Sequence, residues 1–404
     1  MRISYHNDKY HNSINIPDSL KEIDNHIDST IKNLTSLNIT YNQNLLDQTI
    51  NTTHQFEKNK KKFIVLGTGG SNLGSKTLIN IIDVWNYKKI YFYDNIDPIY
   101  FKNSLQGLDL IEVGFIIISK SGTTAETLSQ FGSIIQLASE KNILSEFFLN
   151  CLVITEFKDT PLYNIAKKNN CILLEHDKDI GGRYSIFSNV GMVPSIIGGL
   201  DVKEVHKGAR EVIDNENNYN FKQIGQLFKF QTQPKFMTNV IMTYSDALYN
   251  FGKWYLQLWA ESIGKNKKGI TAIHSIGTTD QHSQLQLYLD GPEDKYFTFI
   301  TTDHSGKGLK INKDIMKSEK LNYLADKKMG DVMQAEQKST LDTFVNNNLQ
   351  FRNIHIPKIN SFSMGSLIAL SIMETVAACI YFEVNPFNQP AVEQGKLLTK
   401  KYLS

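Results

Sequence analysis

Residues 113–127 read VGFIIISKSGTTAET, and this stretch limits what the chain can fold into more than any other. A strand so apolar has no face to give to water, so it belongs in the middle of a parallel sheet covered on both sides. It stops on a run of small hydroxyl residues. In such sheets ligands lie in the crevice beyond the carboxyl ends of the strands. Hydroxyls packed there are either a polar turn or a cradle for a group rich in acceptor oxygens. Thr123 with Glu126 three residues later reads as a capping box, which starts a helix at this point. Its free N–H groups, its positive dipole end and the hydroxyls of Ser119, Ser121 and Thr124 together suit a phosphate monoester.

The same alternation of strand and helix extends along the chain. KKFIVLG, KIYFYDN, VGFIIIS, CLVITE and CILLEH are short apolar runs separated by helical stretches, the pattern of a doubly wound α/β domain. FMTNVIMTYS, YFTFITTDH and FRNIHIP form a second set, with helices over DALYNFGKWYLQLWAESIGK and from Tyr323 to Asn346. The fold class expected is α/β: two doubly wound sandwich domains with mainly parallel sheets, plus helical N- and C-terminal segments. We divide the chain into a helical extension (1–55), a first domain (56–200), a second domain (201–385) and a C-terminal helix (386–404).

Bulk properties narrow the function class. With 404 residues, 41% hydrophobic and 21% charged, the composition is that of a soluble globular protein. A net charge of +2 with no basic block gives no warrant for a nucleic-acid partner. Cys151, Cys171 and Cys379 are too few and too scattered for a zinc site or a disulfide framework; Cys151 and Cys171 begin apolar runs and are expected as buried thiols. The start MRISYHNDKYHNS lacks an apolar signal core. Residues 364–382 are apolar but carry Glu374, and read as a core helix rather than a membrane span. A cytoplasmic protein is expected.

A second glycine-rich turn, LGTGGSNLGSKT, follows the strand KKFIVLG. As a dinucleotide fingerprint it offers Gly67 and Gly69 but then Asn72, although Asp94 stands near the position of a ribose-binding acid. As a P-loop it fails because Ser75 separates Gly74 from Lys76. What remains is a turn whose backbone, at Gly70, and whose Ser71 hydroxyl can approach a small ligand. Two such turns at neighbouring strand ends point to one phosphorylated ligand.

The pairing of GTGGSNLG with SKSGTTAET resembles the sugar-isomerase (SIS) fold, and within it the phosphoglucose isomerase family. GGRYSIFSNVGMVPSIIGG, QLWAESIGK, GTTDQHSQLQLYLDGP and QPAVEQGK extend the likeness over residues 62–403 in the family's order. Short bacterial members are most similar, since many longer relatives have an aromatic residue in place of Gly122. The resemblance implies interconversion of glucose 6-phosphate and fructose 6-phosphate, as in glycolysis and gluconeogenesis. That reaction needs a phosphate grip, an acid–base pair for ring opening, a base between C2 and C1, and a positive group for the enediolate. It calls for neither a metal nor a redox cofactor.

By resemblance the base is Glu261, with Gln257 a substrate-binding neighbour; four residues apart, they share one helix face. Trp254, Leu258 and Trp259 are expected to shield the carboxylate from water. The resemblance gives Arg183, behind Gly181 and Gly182, the enediolate, and gives His282 and Lys396 ring opening. It assigns Gln389 a phosphate or sugar contact and the Lys120 backbone N–H a phosphate contact. In the family the histidine comes from the neighbouring subunit, which implies a homodimer with shared sites. His274 is expected to be structural. A dehydrogenase binding NAD through Gly67, Gly69 and Asp94 is an alternative, as is a non-catalytic sugar-phosphate sensor. Acceptance of mannose 6-phosphate rests on pocket shape and stays open.

Overall fold

The computed structural model describes residues 1–7, 18–82, 89–230 and 236–404. Among them, ten strands form two five-stranded sheets. They are β1 (Arg2–His6), β2 (Lys62–Leu66), β3 (Lys89–Tyr93), β4 (Val113–Ile118), β5 (Cys151–Thr155), β6 (Ile172–Glu175), β7 (Thr238–Thr243), β8 (Thr271–Ile276), β9 (Lys295–Thr301) and β10 (Phe351–His355).

The first sheet runs β3-β2-β4-β5-β6 and all its pairings are parallel. Every residue of β4 and β5 is buried, as a strand with two apolar faces requires. One face meets Phe131, Ile134 and Phe147; the other meets Val190, Val193 and Ile197. The chain steps from β2 outward to β3 and then back across β2 to β4. That reversal makes a topological switch point between β2 and β4, where doubly wound sheets bind ligands. Leu66 lies opposite Ile117 across this gap, so the two hydroxyl- and glycine-rich turns leave the sheet side by side.

The second sheet repeats the pattern. Its order is β1-β10-β9-β7-β8, parallel except for β1. A shared core joins the halves: Ile186, Met192 and Ile196 pack in one cluster with Ile241, Ile300 and the helix Ser361–Tyr381. This helix is long and apolar enough to cross a membrane by length and composition, yet it is buried within the protein. Its Glu374 takes two guanidinium bonds from Arg352 of β10, one of them at 2.8 Å, while Arg352 Nε donates to Thr298. A core helix, as expected, carries its carboxylate only because a matched cation lies beside it.

Four local expectations fail. The first residues were read as helical, but Arg2–His6 is an edge strand that pairs antiparallel with β10; helices follow only at Asp18–Lys32 and Gln43–Phe56. Strand β8 has no counterpart in the sequence reading. The helix expected from Tyr323 begins at Met329, because Asp331 accepts the Lys328 N–H and fixes the start there. The Thr123 capping box is not formed either. The helix starts at Ala125 with Thr124 at its N-cap, and the Thr123 hydroxyl donates to Ser121 instead.

Candidate active site

Three elements converge at the switch point. The first is the turn after β2, a single 3-10 turn over Gly69–Ser71. Asn72, fully buried behind it, donates from its amide to the Gly67 carbonyl at 2.6 Å. The second is the turn after β4. There the buried Ser119 hydroxyl meets Thr124 Oγ1 at 2.8 Å, and Ser121 accepts the Thr123 N–H. Gly122 has φ +64°, and a Cβ on it would sit 2.3 Å from Thr160 Oγ1; only glycine fits both constraints. Thr127, inside the first turn of the helix Ala125–Glu140, leaves its buried hydroxyl oxygen without a partner.

The third element is the 3-10 segment Gly182–Phe187, and it locks against the first. A Cβ on Gly70 would fall 2.2 Å from the Gly182 carbonyl carbon, so backbone lies on backbone. Lys120 ties the second turn to the same place: its ammonium donates to the carbonyls of Lys178 and Ile180 at 2.7 and 3.0 Å. With its side chain so committed, Lys120 has its backbone N–H as the group to offer an anion.

Arg183 stands at the centre and is 2% exposed, yet all five of its N–H donors are used. Nε donates to Ser262 Oγ at 2.8 Å. Nη1 donates to Glu261 Oε2 at 3.3 Å and to Gln389 Oε1 at 2.5 Å. Nη2 donates to the carbonyls of Pro386 and Asn388 at 2.6 and 3.2 Å. A buried guanidinium with every donor placed is a fixed positive charge beside a carboxylate.

Glu261 projects from the helix Tyr249–Ile263. Its second oxygen, Oε1, takes the Gln257 Nε2–H at 3.0 Å, one turn back on the same face. The Gln257 carbonyl oxygen is buried with no partner and so is a free acceptor. The apolar shield expected for Glu261 is only partly there. Trp254 packs beneath the Arg183 turn and donates to its carbonyl, whereas Leu258 and Trp259 turn into the core. The carboxylate side chain keeps 32% of its exposure, enough to meet a ligand.

The structure therefore unites Glu261, Gln257, Arg183 and Gln389, and sets the Gly70–Ser71 turn against them through Gly182. His282 does not join this cluster. It is exposed at the end of the 3-10 turn Thr279–Gln281 beyond β8. Lys396 does not join it either: its ammonium is exposed and pairs with Glu393 of its own helix at 2.7 Å. Among the described residues it has no hydrogen bond or ion pair to Glu261. The C-terminal segment touches Arg183 through Gln389, while the helix Glu393–Leu403 buries no residue.

His274 donates to or accepts from Thr243 at 3.0 Å, and burial lowers its pKa to about 4, as suits a structural ring. All three cysteines are buried and free. Three neighbours were missed from sequence. Ser262 and Tyr184 are buried partners of Arg183. Lys265 caps the Glu261 and Ser262 carbonyls at 2.7 and 2.5 Å, with its pKa lowered by burial and then by Arg183. The available signal was adjacency, since Tyr184 follows Arg183 and Ser262 follows Glu261.

The chain is 33% identical to a probable glucose-6-phosphate isomerase of Methanococcus maripaludis over 364 residues, 87% of this chain and 80% of that one. It is 31% identical to the glucose-6-phosphate isomerase of Campylobacter jejuni, with 89% of each chain covered. A crystal structure of a hypothetical protein from Thermus thermophilus superposes with a TM-score of 0.87 over the whole of both chains at 24% identity. That of a Chlamydia trachomatis glucose-6-phosphate isomerase superposes at 0.75 and 20% identity, over 89% of this chain and 73% of that one. The phosphoglucose isomerase family model matches residues 47–404, and the chain belongs to the phosphoglucose isomerase family.

Proposed function

We infer that this protein interconverts glucose 6-phosphate and fructose 6-phosphate through a cis-enediol. The observation that carries the reading is the Glu261 carboxylate held at both oxygens, by Gln257 and by Arg183, beside two anion-suited turns at a switch point. The phosphate monoester is held by the hydroxyls of Ser71, Ser119, Ser121 and Thr124 with the Lys120 N–H and the Gly70 backbone, and without fixed charge it can still leave. Glu261 takes the proton from C2 of the open-chain aldose and returns it to C1, a step for which a placed base contributes about 10²–10⁴-fold. Arg183 faces the oxygens of the enediolate, and Gln389 leaves Nη1 as those oxygens arrive.

Ring opening is assigned to His282 of a neighbouring copy and to Lys396. The exposure of His282, outside its own chain's cluster, supports a homodimer in which each copy completes the other's site. Mixing Glu261→Gln and His282→Ala subunits tests this: each mixed dimer holds one intact site, so random mixing restores about a quarter of wild-type activity. No recovery would place His282 within its own chain's site or outside the reaction. Buried free thiols suit a reducing, cytoplasmic setting.

A dehydrogenase reading gains nothing here. Asn72 fills the place of the third glycine, and Asp94 is already paired with Lys76 at 2.5 Å. The test of the function is a coupled assay with fructose 6-phosphate in and glucose 6-phosphate out, with no added metal or nucleotide. Absence of glucose 6-phosphate would overturn it.

A further inference from the structure

Ser262 follows the base on the same helix and is fully buried. Its hydroxyl accepts the Arg183 Nε–H at 2.8 Å and lies 2.8 Å from the Tyr184 hydroxyl. Tyr184 in turn lies 3.1 Å from the Pro386 carbonyl, which also accepts from Arg183 Nη2 at 2.6 Å. The direction of every bond follows from the ends. Nε can only donate and a carbonyl can only accept, so Tyr184 gives its one proton to Pro386 and Ser262 gives its proton to Tyr184. That assignment satisfies every contact in the loop. Burial pushes the Tyr184 phenol up, which keeps it a donor at neutral pH.

We propose that Ser262 is a positioning residue for the isomerisation, fixing the roll of the Arg183 guanidinium so that Nη1 faces Glu261 and Gln389. The proposal rests on the reading of Arg183 as the group facing the enediolate. Three of the four bonds at Nη1 and Nη2 go to residues 386–389, so without Nε the guanidinium is tied to the helix of the base only by the 3.3 Å contact with Glu261. The bond at Nε to Ser262 adds a second tie to that helix. Through Tyr184 the same hydroxyl sets the Pro386 carbonyl, three residues before Gln389, so the charge and the segment that covers it move together. From Arg183 Nε three buried hydrogen bonds run in one direction to the Pro386 carbonyl and reinforce one another, and Nη2 donates to that same carbonyl.

The test is Ser262→Ala and Ser262→Thr, each alone and combined with Arg183→Lys, read as kcat, KM and thermal midpoint. Ser262→Ala is expected to lower kcat by roughly 10- to 100-fold, the scale of a misplaced catalytic group. KM for the sugar phosphate should stay within about threefold, because the phosphate turns are untouched. Ser262→Thr keeps the hydroxyl and should recover most of kcat, even where its extra methyl lowers the thermal midpoint below that of the alanine variant. In the Arg183→Lys background, which lacks Nε as a donor in that place, Ser262→Ala should cost little more. Activity that tracks the thermal midpoint instead of the hydroxyl would overturn the proposal. So would equal losses in both backgrounds. If Arg183→Lys alone left kcat unchanged, the reading of Arg183 would fail and the proposal with it, while isomerase activity of the unaltered protein would stand.

Discussion

Gly70→Ala isolates the contact on which the site's geometry depends. A Cβ at this position would lie 2.2 Å from the Gly182 carbonyl carbon, 2.4 Å from its oxygen and 2.6 Å from the Arg183 nitrogen. Carbon atoms pack at about 3.5–4.0 Å. All three neighbours are backbone, so no side chain can swing aside, and the Gly182–Arg183 turn must retreat by more than ~1 Å. Arg183 begins at that turn, and the guanidinium moves with it relative to Glu261. A displacement of ~1 Å at a catalytic group costs about 10²-fold in rate, whereas local overpacking costs ~1–3 kcal/mol, below the ~5–15 kcal/mol that holds a typical protein folded. We expect Gly70→Ala to lose about two orders of magnitude in kcat while remaining folded by circular dichroism and urea melting. Gly132→Ala is the control: it lies exposed in the helix Ala125–Glu140 with no atom within 4 Å of the new Cβ. That change should leave activity alone and stabilise by about 0.5–1 kcal/mol. A Gly70→Ala enzyme within about threefold of wild-type kcat would refute the claim that this contact positions Arg183.

Two further outcomes follow from buried charge. Glu374→Ala strands Arg352 in the core, and urea titration should show a loss of about 3–5 kcal/mol; a loss below ~1 kcal/mol would mean the pair is not desolvated. Burial lowers the pKa of His176, His206 and His274 from the ordinary 6.5 to about 4. Their contribution is therefore complete above pH 6.5 and is lost as pH falls toward 4, because in that window the unfolded chain takes up protons that the folded chain refuses. Each histidine should add a slope of about 1.4 kcal/mol per pH unit in urea stability, and a flat profile from pH 6.5 to 4.5 would contradict these burials.

The first sheet was legible because its strands announce themselves locally. β2, β4 and β5 are continuous apolar runs, and each of the first two ends in a turn rich in glycine or hydroxyls. β1 was not legible: RISYH pairs with a strand some 350 positions away, and only that partner makes it a strand. β8 sits at the sheet edge with most residues half-exposed, so its pattern lacks the apolar block of its neighbours. At the site, the resemblance supplied Glu261, Gln257, Arg183 and Gln389, which the fold brings together. It could not supply the direction of Leu258 and Trp259, because one helix face points to the ligand and the next to the core within a single turn. His282 and Lys396 sit outside the cluster of their own chain, and among the described residues no contact within one chain gives them a part in it.

The central claim is that the Glu261 carboxylate moves the proton between C2 and C1. The direct measurement is hydrogen exchange at C2 of glucose 6-phosphate in heavy water, followed by NMR with Glu261→Gln alongside the unaltered protein. The amide keeps the size of the side chain but has no basic oxygen of comparable strength. The variant should bind the sugar phosphate as before, show no isomerisation, and leave the C2 hydrogen in place. Deuterium appearing at C2 in the variant at a rate near that of the unaltered protein would assign the proton to another base and contradict the account.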